Sequence, residues 1–168
     1  AQSSASYGRI MEVMNTPETA DTGTISKTLA GFVEVKNISL SYSGKPVLKN
    51  VSFQIKPGTR TAIIGPTAAG KTQLLYLLTG LIRPDEGQIL YDNIDLNDYD
   101  KNSFQQQLGF VFQDSVIFNI SLRENIAFNE NVTDAAMNKA METAELKDFI
   151  DTLPEGLVTI VSERGTSL

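Results

Sequence analysis

Between residues 32 and 55 apolar positions alternate with polar ones three times, in Phe32-Val33-Glu34-Val35, in Ile38 to Tyr42 and in Val51-Ser52-Phe53-Gln54-Ile55. A period of two sends successive side chains to opposite faces, so these runs predict half-buried antiparallel strands. Ser43-Gly44-Lys45-Pro46 and Lys56-Pro57-Gly58 punctuate them as turns. The unbroken run Thr61-Ala62-Ile63-Ile64 predicts a short buried strand, and Leu74-Leu75-Tyr76-Leu77-Leu78 a helix. After a turn at Arg83-Pro84-Asp85-Glu86-Gly87, Gln88-Ile89-Leu90-Tyr91 with Ile94 predicts a small hairpin, and Gly109-Phe110-Val111-Phe112 a further buried strand.

Beyond residue 112 the pattern turns helical. Ser121-Leu122-Arg123-Glu124 is a capping-box signature. Thr133 is placed to cap a helix with Ala136, Met137, Ala140, Met141 and Ala144 on one face, a stripe that reads as core or partner contact. At the other end of the chain, Tyr7, Ile10, Met11 and Met14 predict a short amphipathic helix over residues 5–14 that needs a neighbour to cover its stripe. Residues 15–31, rich in Thr, Ser, Gly and Pro, read as a linker.

Between the predicted strand and helix at 61–78 stands Gly65-Pro66-Thr67-Ala68-Ala69-Gly70-Lys71-Thr72, a full match to the phosphate-loop pattern G-x-x-x-x-G-K-S/T in the strand-loop-helix context that the pattern requires. Small residues let the backbone turn sharply and bring its N–H groups against a polyphosphate. The start of the following helix adds free N–H groups and a positive dipole end. Lys71 is placed to reach the β and γ phosphates, the Thr72 hydroxyl to ligate Mg2+, and Gln73 to add a polar contact. Ala68 and Ala69 keep the loop small, and Gln73 stands where a second hydroxyl residue is usual.

Composition narrows the chemistry. A formal net charge of −6, with no basic cluster longer than two residues, argues against nucleic acid as a partner. The chain has no cysteine and no histidine, which removes disulfides, thiolate metal sites and the usual general base. Catalysis would have to run on carboxylates, amides, lysine and Mg2+. No apolar run reaches membrane-span length; Leu74 to Ile82 is interrupted by Thr79 and Gly80. Four Asn-x-Ser/Thr triplets, at Asn37, Asn50, Asn119 and Asn131, lack a secretion signal beside them and read as coincidental.

With the phosphate loop set in this order of elements, the chain from about residue 5 to residue 168 resembles the nucleotide-binding domain of an ATP-binding cassette (ABC) transporter of the exporter kind. The likeness is carried by Phe32 to Tyr42, Pro46 to Phe53, Gly87 to Asp92, Phe110-Val111-Phe112-Gln113-Asp114, Ser121 to Phe128 and Thr159 to Gly165. It implies an α/β fold: a P-loop NTPase core with an N-terminal antiparallel β subdomain and the start of a helical subdomain, incomplete, over residues 32–168. Residues 1–14 would be the end of a helix connecting to a membrane domain, and 15–31 the linker. It also implies ATP and Mg2+ as cofactors, Tyr42 stacking on adenine, residues 65–73 around the phosphates, Lys71 and Gln113 acting in catalysis, and Thr72 and Gln113 on the metal. Glu163 and Arg164 would touch the membrane domain. The partners implied are a membrane-spanning domain of the same transporter and a second nucleotide-binding domain, at the cytoplasmic face of a membrane.

The departures bear on activity. The sequence given stops at Leu168, where the family's Leu-Ser-Gly-Gly-Gln signature would begin, and it holds neither an apolar strand ending in Asp-Glu nor a switch histidine; Asp85-Glu86 follows Arg83-Pro84 and does not serve. Phosphoryl transfer is catalysed mainly by positioning and electrostatics. The expectation is therefore a chain that binds Mg-ATP and hydrolyses it poorly or not at all, within a parent that is an ATPase. The rival readings are a non-catalytic nucleotide-binding module and another P-loop NTPase; a GTPase is disfavoured because Asn138-Lys139 continues with Ala140-Met141. Strands 60–65 and 109–112 are expected to lack neighbours on one edge, giving marginal stability or self-association.

Overall fold

The alternating runs fold into two long strands rather than three short ones. The computed structural model describes residues 7, 10, 11, 14, 15, 23–113, 116–128 and 131–161. Strand β1 (Val33–Tyr42) absorbs both of the first two runs because one extra residue is bulged out near Asn37, whose φ is 50°. The bulge preserves the inward face across a break in phase: Val33 and Val35 point to the core before it, Ile38 and Leu40 after it. Asn37 tolerates the left-handed backbone, and its N–H donates to Ser52 Oγ across the ladder at 2.8 Å. Strand β2 (Lys45–Ile55) returns antiparallel through a two-residue turn, Ser43 and Gly44 at φ 50° and 74°, the primed geometry that matches strand twist.

Strand β3 (Glu86–Tyr91) pairs with the other edge of β1, and β4 (Ile94–Asp95) closes a tight hairpin on β3 through Asp92 and Asn93. The sheet order is β2-β1-β3-β4, antiparallel throughout. Helix α1 (Lys71–Leu78) lays Leu74, Leu77 and Leu78 on the sheet, the i, i+3, i+4 spacing of one helix face. Each buried leucine contributes roughly 1.5–3 kcal/mol. Helix α2 (Lys101–Gln105), capped by Asp100 on the Ser103 N–H, adds Phe104 against Tyr91 and Tyr99. These elements belong to one compact unit, residues 1–110.

Two predicted strands do not form. Residues 60–65 and 109–113 carry no ladder; Ile64 is 92% exposed and Val111 91%. A strand exists only by pairing, and among the described residues neither segment joins a strand ladder. The stretch that reads as a linker is, over 23–32, an extended strap bonded to the Asp98–Asp100 backbone and to side chains of α2 and of the β3–β4 turn. Tyr7, Ile10, Met11 and Met14 are helical as expected, with Tyr7, Ile10 and Met14 exposed.

The second compact unit, residues 111–168, is helical. Helix α3 (Leu122–Ala127) starts with the predicted capping box: Ser121 Oγ accepts from the Glu124 N–H, and Glu124 accepts from the Ser121 N–H. The hydrogen bonds from Ser121 hold the Glu124 carboxyl below its ordinary pKa. Thr133 caps α4 (Asp134–Thr143) as expected. The α4 stripe is narrower than the sequence suggests: Met137 and Met141 are buried with Ile150 of α5 (Lys147–Asp151), while Ala136, Ala140 and Ala144 face outward. Two methionines fill this small core, and the three alanines are exposed. Among the described residues no helix is long and apolar enough to cross a membrane.

Candidate nucleotide site

The phosphate loop leaves the sheet side at Arg60 and enters α1 at Lys71. Its helix end is fixed by packing. Gly70 is the helix N-cap at φ +82°, and a Cβ there would come 2.8 Å from Leu48 Cδ2 and 3.0 Å from the Val47 carbonyl oxygen. Only glycine satisfies both the left-handed backbone and the close approach to β2. Val47 and Leu48, not singled out by the sequence reading, thus set where the loop stops; the apolar pair after Pro46 was the signal for them. Ala68 takes φ 62° without being glycine, in an exposed turn where the Ala69 N–H donates to the Pro66 carbonyl.

Gly65, Pro66, Thr67, Ala68 and Ala69 are all exposed, so the loop's backbone faces solvent. The Lys71 ammonium folds back over it, donating to the Gly65 and Pro66 carbonyl oxygens at 2.9 and 2.6 Å. Those bonds bring the cation to the loop mouth and hold both ends of the loop together. The first turn of α1 has no side-chain cap and no acidic residue. Its leading N–H groups and dipole end therefore meet no anion from within that turn. Thr72 is exposed and Gln73 half-buried, both on that first turn.

This donor set fits a polyphosphate: a lysine ammonium, an uncapped helix start and a loop of small residues with no competing carboxylate in the turn. Among the described residues no cluster of three or more acidic or histidine side chains is arranged to hold a metal ion. A Mg2+ ion here would rest on the Thr72 hydroxyl together with phosphate and water oxygens.

Tyr42 ends β1 with its ring 49% exposed, paired with Lys45 at the hairpin tip. It stands two residues beyond Leu40, whose ladder partner Leu48 touches Gly70. The hairpin thus links the exposed ring to the helix end of the loop. Gln113 is exposed and belongs to the second unit. Asp114, Glu163 and Arg164 lie outside the described residues. A cavity of about 90 Å3 lies at the opposite, C-terminal end of α1, lined by Leu77, Gly80, Arg83, Tyr99, Lys101 and Phe104 among others.

Comparisons with known proteins identify the family. The family model described as ABC transporter matches residues 48–162, which includes the whole phosphate loop. The chain is 43% identical over 142 residues to the Beta-(1-->2)glucan export ATP-binding/permease protein NdvA of Agrobacterium fabrum, covering 83% of this chain and 24% of that protein. It is 37% identical over 169 residues to the ATP-dependent lipid A-core flippase of Xylella fastidiosa, covering 98% and 29%, and 40% identical over 140 residues to Heavy metal tolerance factor 1 of Caenorhabditis elegans, covering 82% and 18%. Among solved structures, a bacterial Atm1-family ABC exporter with ATP bound superposes with a TM-score of 0.84 at 33% identity, over 99% of this chain and 30% of that one. The chain thus spans less than a third of the length of each of these proteins, and the α/β architecture is that of an ABC ATPase. Because the family model takes in more than half of its residues, this chain belongs to the ABC transporter family.

Proposed function

We propose that the chain is the ATP-binding portion of the ATPase domain that powers a membrane ABC exporter, and that residues 65–73 hold the triphosphate. The observation that carries this reading is the uncapped start of α1, with Gly70 locked on β2 and Lys71 turned over the loop. ATP supplies the transferable γ-phosphoryl group. Lys71 exchanges its two carbonyl partners for phosphate oxygens at small cost, because the ammonium is already at the loop mouth. The Thr72 hydroxyl would hold Mg2+, and the exposed Tyr42 would stack on the adenine. Base stacking on an aromatic ring is worth roughly 1–3 kcal/mol. The parent's partners are its membrane-spanning domain and a second nucleotide-binding domain, at the cytoplasmic face; nucleic acid is not one of them. Residues 1–14 join the membrane side, and 15–31 connect them to the domain.

The 168 residues contain no histidine and no apolar strand ended by an acidic pair. On their own they bind Mg-ATP and release little phosphate. The test is titration with Mg-ATP and with Mg-GTP, with phosphate release followed in the same samples. Saturable ATP binding with turnover near the uncatalysed rate supports the reading. Sustained turnover, or a preference for GTP, would overturn it.

A further inference from the structure

The cavity at the C-terminal end of α1 lies wholly within the first unit, at the other end of the helix from the phosphate loop. Its buried lining is apolar: Leu77, Ile89, Tyr99 and Phe104 are each no more than 3% exposed. The Tyr99 hydroxyl is spent on the Tyr91 carbonyl at 2.9 Å. Its exposed lining is polar and cationic, with Arg83 and Lys101 beside Gln88 and Gln105. Among the described residues no carboxylate lines it, although the chain carries 20 acidic residues against 14 basic ones. Asp95 and Asp100, close by in sequence, are spent as caps on the Asn97 and Ser103 N–H groups, both at 2.8 Å.

The Lys101 ammonium and the Gln88 and Gln105 side-chain amides have no hydrogen-bond or ion-pair partner among the described residues. The last carbonyls of α1, by contrast, are all taken: Leu75 by the Thr79 N–H, Tyr76 by the Leu81 N–H, Leu77 by the Gly80 N–H and Leu78 by the Tyr91 hydroxyl. The negative end of the helix is therefore already met by donors, and the side chains at the mouth are what a ligand encounters. The wall that carries Tyr99, Lys101 and Phe104 is braced by the strap over residues 23–32. The Thr24 and Ile25 N–H groups donate to the Asp98 carbonyl at 3.0 Å, and the Asp100 N–H donates to the Ile25 carbonyl at 2.9 Å. Gln107 Nε2 bonds the Lys27 and Ser103 carbonyls, both at 3.0 Å.

An apolar floor favours a hydrocarbon tail, and a cationic mouth free of acids favours an anionic head. The volume of about 90 Å3 is the liquid share of about three waters, and a methylene group is of similar size. We propose that this cavity is a second binding site, for a short-chain carboxylate whose tail of about three carbons fills the space over Leu77, Ile89 and Phe104. Its carboxylate meets the Lys101 ammonium and the amides of Gln88 and Gln105. The proposal does not rest on the nucleotide reading, because the two sites share no lining residue.

The test is amide-shift titration of the whole chain, without nucleotide, with acetate, butanoate, hexanoate and butan-1-ol, for wild type, Lys101→Gln and Leu96→Phe. Butanoate should saturate in the millimolar range, with shifts at 79–83, 88–89 and 96–105. Each buried methylene is worth about fourfold in affinity, so acetate should bind about tenfold more weakly. Hexanoate, too long for the space, should gain nothing over butanoate. Lys101→Gln should weaken butanoate about tenfold and leave butan-1-ol unchanged, since only the charged head loses a partner. Leu96→Phe fills the cavity and should abolish binding of both; should it lose the folded spectrum, Ile82→Phe takes its place under the same criteria. Shifts confined to 65–73, no saturation with butanoate, or butanoate affinity equal in wild type and Lys101→Gln would overturn the proposal. Failure of ATP to bind in calorimetry would remove the proposed function and leave this result standing.

Discussion

The two sides of the phosphate loop are held in opposite ways. On the helix side Leu77 is fully buried, Leu74 nearly so, and Gly70 is pinned between Val47 and Leu48. On the other side Thr61, Ala62 and Ile64 are exposed and Ile63 is only partly buried against the core, while Lys71 ties across the loop to the Gly65 and Pro66 carbonyls. Both sides are apolar in sequence. The difference teaches that apolarity places a residue inside only where another element covers it, and that the half of this loop that runs into α1 is the half with a covered neighbour.

The sharpest way to break the comparison is at the helix core. Leu77→Ala should destabilise the chain by about 2–5 kcal/mol, read as a shift of the denaturant midpoint. Gly70→Ala should cost about 2–4 kcal/mol, from the left-handed backbone and the clash with Leu48, and should lower nucleotide affinity as well. Tyr91 ties β3 to the last turn of α1 through a 2.7 Å bond from its hydroxyl to the Leu78 carbonyl. Tyr91→Phe should cost about 1–2 kcal/mol, because that buried carbonyl loses its partner. Burial pushes the Tyr91 hydroxyl up to about 12 from an ordinary 10.0. The unfolded chain therefore releases this proton first, so the Tyr91 contribution is intact below pH 10 and is lost as pH rises towards 12; Tyr91→Phe should flatten that part of the stability profile. Ile64→Ala, on the uncovered side, should change stability by no more than about 0.5 kcal/mol. A loss near that of Leu77→Ala would show that the two sides are alike after all.

What could be read from the sequence followed from how local each signal was. The start of α1 at Lys71, the Ser121 and Thr133 caps and the turn at Ser43-Gly44 are written within a few consecutive residues, and each forms where its residues predict it. Whether the runs at 61–64 and 109–112 join a ladder depends on what lies beside them, which an apolar run does not encode. The bulge at Asn37 is legible only after the two flanking runs are seen to share an inward face. The strap was hidden because its partners, Asp92 and Gln107, are about 60 to 80 residues away and bond to backbone groups that carry no residue signature. Around the loop, Gly70 and Lys71 stand out in the motif, whereas Val47 and Leu48, which pack on Gly70, are marked only as an apolar pair after Pro46.

The most direct test of the central claim is calorimetric titration of the chain with Mg-ATP beside Lys71→Ala. Removing a charge-assisted contact of about 1.5–3 kcal/mol predicts saturable binding in the wild type and affinity lower by about 10- to 100-fold in the variant, with the fold intact. Equal affinity in the two, or no binding by the wild type, would contradict the assignment of this loop as the nucleotide site of the chain.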